Sequence, residues 1–171
     1  MRARIAHLPS PWRRHLTAAF SLYPDGALHM PYLEILARNF RLGEDKHAAD
    51  TRTLRDARSA LARDMTAAVV SAFSVLPATV TLFFIPLNEE AYAHEGELAA
   101  DMSSDDPRRQ RIFVKVHAYA RSIDQRRALA VALTPLLACH YGASLDKVAI
   151  YFIDRTFDEV AHGGQMAVDI C

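Results

Sequence analysis

The side chains in this 171-residue sequence that could do chemistry are few and scattered. Its two cysteines, Cys139 and Cys171, have neither metal-ligand spacing nor a disulfide framework. No serine or cysteine triad can be argued from residue order. What does recur is arginine at a fixed interval. Arg41 follows Pro31 by ten residues, and Arg121 follows Arg111 by ten. Spacing alone leaves both as arginines at a helix entrance, where an exposed cation is ordinary.

The elements that would position these residues follow from hydrophobic periodicity. Residues 31–40, PYLEILARNF, read as a strand. After a polar stretch, Leu54, Ala57, Leu61, Met65, Ala68/Val69 and Ala72 recur at three- and four-residue steps, the stripe of an amphipathic helix. Asp50, Thr51 or Thr53 could cap its start. Residues 79–85, TVTLFFI, form a β-rich apolar run, and the polar segment 89–110 reads as a connection. The order then repeats. Residues 111–119 alternate as a strand, Ser122 and Gln125 have capping-box spacing, and Leu129, Leu133, Leu136/Leu137 and His140 continue a helical stripe. Gly142 suits the helix C-terminus, and VAIYFI at 148–153 is the last buried strand. Pro135 conflicts with the helix around it and predicts a kink.

Strand, helix and parallel strand make a right-handed βαβ unit. Two such units, at 31–96 and 111–166, predict an α/β fold (an α+β sandwich): a four-stranded mixed sheet with both helices on one face. The interval from Val80 to Gly96 is sixteen residues, as is that from Val148 to Gly164. The middle spans differ, 39 residues from Arg41 to Val80 against 27 from Arg121 to Val148, so unit one carries a 12-residue insertion before its helix. Several strands are apolar on both faces, and the helices cover only one. The simplest cover for the other is a second copy of the chain.

Composition bounds the function. Half of the residues are apolar and the formal net charge is zero, which gives no basic excess for nucleic acid or a membrane surface. No apolar run approaches the roughly 18 residues of a membrane helix. A reducing, cytoplasmic compartment is the expectation. Residues 1–29 differ from the rest: Arg2, Arg4, Arg13 and Arg14 precede the first acid, Asp25, and prolines stand at 9, 11 and 24. They read as an organellar targeting segment, as a loosely attached arm, or as sequence upstream of a true start at Met30.

The motifs, taken in order, resemble those of the tautomerase superfamily. MPYLEI at 30–35 looks like the start of such a chain: Met, Pro, then a strand. IFVKVHAYARS at 112–122, followed by a Gln-containing helix and by KVAIYFID at 147–154 up to Gly163-Gly164, is similar to 4-oxalocrotonate tautomerase. The same stretch is similar to cis-3-chloroacrylic acid dehalogenase and to macrophage migration inhibitory factor. The resemblance covers about residues 30–166.

The resemblance implies a cofactor- and metal-independent tautomerase acting on a small 2-oxo or 2-hydroxy-dienoate acid, assembled as a homotrimer. Its general base would be Pro31. An N-terminal proline is a secondary amine, and burial with cationic neighbours lowers its pKa enough for proton abstraction near neutral pH. Inside a chain the same nitrogen is a non-basic amide. The resemblance further implies Arg41 and Arg121 as carboxylate-holding groups, Tyr151 as a residue that positions substrate or water, Tyr92 as an apolar wall and His162 as a late-loop acid or base. This sequence departs from the pattern at Ala149 and Thr81, where a second arginine would stand, and at Arg111, which opens unit two without a proline. Two alternatives stay open: a hydratase or dehalogenase acting on unsaturated acids, and a non-catalytic trimeric binding protein.

Overall fold

The computed structural model describes residues 31–38 and 51–169. The expected 1–29 extension, Arg41, Asp50 and Cys171 lie outside the described residues. Strand β1 spans Tyr32–Ala37 and helix α1 spans Thr51–Phe73. Strand β2 is Thr81–Pro86, and a short hairpin follows as β3 (Ala93–His94) and β4 (Glu97–Leu98). The second unit repeats this with β5 (Ile112–Tyr119), α2 (Ile123–Tyr141), β6 (Val148–Arg155), and a hairpin of β7 (Ala161–His162) and β8 (Gln165–Met166).

The four long strands form one mixed sheet in the order β2-β1-β5-β6. β1 is parallel to β2, β5 is parallel to β6, and the central pair β1–β5 is antiparallel. Alternation along the strands sends Leu33, Ile35 and Ala37 of β1, and Ile112, Val114, Val116 and Ala118 of β5, into the core. They meet Leu61, Met65, Val69 and Phe73 of α1 and Leu129, Leu133, Leu137 and Tyr141 of α2. Both helices therefore cover one sheet face through four-residue stripes. The α2 stripe ends on Tyr141, not His140, because the next four-residue step after Leu137 falls there.

Ser122 caps α2 as its spacing predicts: its hydroxyl accepts from the Gln125 N–H, and the Gln125 side chain accepts from the Ser122 N–H. Gly142 closes the helix in the left-handed region at φ 67°. α2 runs through Pro135 as one continuous helix. The carbonyl four residues back, which proline leaves without its N–H, belongs to Val131, a residue 75% exposed where water can replace the lost partner.

The ten-residue interval pairs Pro31 with Arg111, but strand register corrects this by one residue. Tyr32 lies opposite Thr81, and Phe113 lies opposite Ala149. With Val80 and Val148 equivalent, Thr81 corresponds to Ala149, Tyr32 to Phe113 and Pro31 to Ile112. Burial agrees, since Pro31, Leu33, Ile35 and Ala37 then match Ile112, Val114, Val116 and Ala118, all buried. A one-residue slip in a strand would turn every side chain to the wrong face.

Candidate active site

The sheet face away from the helices carries Tyr32, Glu34, Phe83, Ile85, Lys115, His117, Tyr119 and Arg155. At the end where β1 starts and β5 and β6 finish, it forms a cleft of about 560 Å³. Pro31 lines this cleft, although its ring is buried, and its carbonyl accepts from the Thr81 N–H at 3.1 Å. The walls are apolar: Phe83 and Ile85 from β2, Val160 from the loop before β7. The ionisable groups are Glu34, Arg155, His117 and His162, with hydroxyls from Tyr32, Thr81 and Tyr119.

His117 organises the polar side. It is 5% exposed, and its ring stacks flat on Tyr32, its cross-strand partner, at 4.3 Å. Its Nδ1 lies 3.0 Å from Nη2 of Arg155. A guanidinium only donates, so Nδ1 must accept and the imidazole proton is on Nε2. Nε2 faces Glu34 Oε1 at 3.8 Å and makes no hydrogen bond. Burial holds the His117 pKa below its ordinary value, and the neighbouring Arg155 adds to this, so the ring is neutral at pH 7. Glu34 is paired with Lys115 at 3.1 Å.

The sequence-named residues divide between the cleft and elsewhere. Pro31 and His162 both line the cleft, and His162 Nε2 is buried with no hydrogen-bond partner. Arg121 does not line the cleft. Its guanidinium lies over the Phe73 ring at 5.1 Å, against the end of α1, and Nη1 donates to the Ala120 carbonyl at 3.3 Å. Tyr151 is exposed on the open face and stacks on Phe113, away from Pro31. Tyr92 is buried by the first hairpin, where its hydroxyl donates to the Arg108 carbonyl at 3.0 Å. Arg41 lies outside the described residues.

Sequence reasoning missed His117, Arg155 and Glu34. The signal was present: Glu34, Lys115 and His117 interrupt apolar strands at same-phase positions. That they converge depends on β1 and β5 pairing antiparallel, which one sequence does not disclose.

The fused pair of βαβ units is a fold shared with solved structures of fused 4-OT, of macrophage migration inhibitory factor and of the cis-3-chloroacrylic acid dehalogenase family. A native fused 4-OT matches it with a TM-score of 0.63 and 20% identity, over 81% of this chain and 98% of that one. Macrophage migration inhibitory factor from Toxoplasma gondii matches with a TM-score of 0.57 and 19% identity, over 79% and 98%. N1, a member of the cis-3-chloroacrylic acid dehalogenase family, matches with a TM-score of 0.53 and 16% identity, over 79% and 82%. Other fused 4-OT structures with this fold are symmetric or asymmetric trimers. No family model matches the sequence, and no curated protein does. At these identities the likeness is one of fold. Among the described residues, no helix is long and apolar enough to cross a membrane.

Proposed function

We propose that the cleft moves a proton on a small 2-oxo or 2-hydroxy-dienoate acid, with Pro31 as general base in a chain that begins there. The observation that carries this reading is that Pro31 and His162, far apart in the sequence, line one cleft with apolar walls. A free amine at Pro31, in a site that is largely apolar and holds the Arg155 cation, would be disfavoured in its charged form and so available as a base near neutral pH. It would take the enol hydroxyl proton, or the proton α to the carbonyl, and return it at the other position. His162 is the second candidate acid or base. This proton transfer asks for no cofactor or metal.

The fold of the dehalogenase-family member and the unpartnered Nε2 of His162 support a second reading, in which His162 activates water for addition to an unsaturated acid. Activity on 3-haloacrylates but not on enols would select it. The open sheet face, with Phe83 50% and Tyr151 54% exposed, supports a trimer in which other copies cover it. The decisive test of the base is the intact mass and N-terminal sequence of the protein purified from its native host. A chain beginning at Pro31 carries the amine. A chain beginning at Met1 does not, and the non-catalytic binding protein becomes the better reading.

A further inference from the structure

Arg155 is held by a histidine and not by an acid. Arg108, Arg109, Arg126 and Arg127 each lie within 4.0 Å of an acidic oxygen. Among the described residues, Arg155 has no such partner; its hydrogen bond goes to His117. It is also the one Lys or Arg among the cleft-lining residues. The group that holds it, His117, is buried, and an acceptor nitrogen there fixes one Nη while leaving the rest of the guanidinium fork unengaged. Glu34 lines the same cleft, its charge offset by Lys115. The balance is one unneutralised cation beside apolar walls, with a carboxylate close by.

We propose that Arg155, aligned by His117, holds the carboxylate of small monocarboxylic acids with an apolar body, and that Glu34 turns away acids carrying a second carboxylate. The proposal rests on reading the cleft as the substrate site and asks nothing of the Pro31 amine. Arg155 is the binding group, because a guanidinium can grip a carboxylate through two parallel hydrogen bonds. His117 is a positioning residue. Protonation of Nδ1 would set an N–H against the guanidinium and release it. The groups facing the His117 ring are Tyr32 and Glu34 from β1, Lys115 from its own strand and Arg155 from β6.

The test is calorimetric titration of the full chain with two inert planar acids, cinnamate and trans,trans-muconate. Cinnamate is expected to bind at least about ten-fold more tightly than the dicarboxylate. Arg155→Gln should weaken cinnamate binding by about 10- to 100-fold. His117→Phe, which keeps the stack on Tyr32, should weaken it several-fold. His117→Asn, whose Oδ1 can stand where Nδ1 stood, should restore it. Wild-type affinity should fall as acid protonates His117, at a pH below the ordinary histidine value, while the His117→Asn chain stays flat. No binding of cinnamate, equal or tighter binding of muconate, an unaffected Arg155→Gln chain, or the same pH dependence in His117→Asn overturns the proposal. Intact binding ratios without turnover of enols would count against Pro31 chemistry alone. Turnover indifferent to Arg155 would count against this proposal alone.

Discussion

His117 shows how one buried side chain ties stability to the cleft. Its pKa is lowered in the fold by burial and by Arg155, so the unfolded chain binds the proton more readily. The sign follows from linkage: where the unfolded state holds more protons, stability rises with pH. The neutral-histidine contribution is complete above the unfolded value of about 6.5 and declines as pH falls below it. Thermal melts of the wild type should show this acid-side decline, and His117→Asn should lessen it. Tyr92 makes the opposite point. Its hydroxyl donates to the Arg108 carbonyl and its ring is buried by the hairpin, away from Pro31. Tyr92→Phe should lose about 1 kcal/mol of stability in denaturant titration and leave turnover unchanged.

At the scale of elements, the two hairpins are the clearest imprint of the duplication. Glu95 and Gly96 have φ of 53° and 84°, and Gly163 and Gly164 have 58° and 83°. Positive φ at both central residues is what a two-residue hairpin of this hand requires. A Cβ on Gly96 or Gly164 would meet nothing within 4 Å, so the backbone alone opposes it. Gly96→Ala and Gly164→Ala should each cost about 1 kcal/mol, read from equilibrium unfolding. Ser122→Ala, which removes one half of the capping box, should cost about 1 kcal/mol as well. Much of this level was legible in the sequence. The helical stripes, the Ser122–Gln125 cap, Gly142 and the Val80–Gly96 and Val148–Gly164 intervals are local patterns, set by residues a few positions apart. The ten-residue arginine interval misled by one position because it counted residues where the sheet counts faces. Pro31 and His162 were reached through resemblance, and the cleft brings them together. His117, Arg155 and Glu34 escaped notice because cross-strand pairing alone makes them neighbours. Arg121 had the stronger flanking resemblance, yet its side chain turns to Phe73 at the end of α1.

At the scale of the whole molecule, the sheet has a covered face and an open one. Leu33 and Val114 point into the helices, while Phe83, Ile85 and Tyr151 on the other side present apolar surface to solvent. Burying it against other copies would stabilise an assembly by roughly 25 cal/mol for each Å² covered. Analytical ultracentrifugation should find a trimer, and Tyr151→Glu, which puts a charge on that face outside the cleft, should shift it toward monomer. A monomeric wild type would remove the assembly from the account. The central claim, that a free amine at Pro31 is the base, is tested most directly by the rate of phenylenolpyruvate ketonisation. It should be measured side by side on a chain beginning at Pro31 and on one that keeps residues 1–30. The account predicts that the first is faster by at least about 100-fold. Equal rates, or no activity in the chain beginning at Pro31, would contradict it.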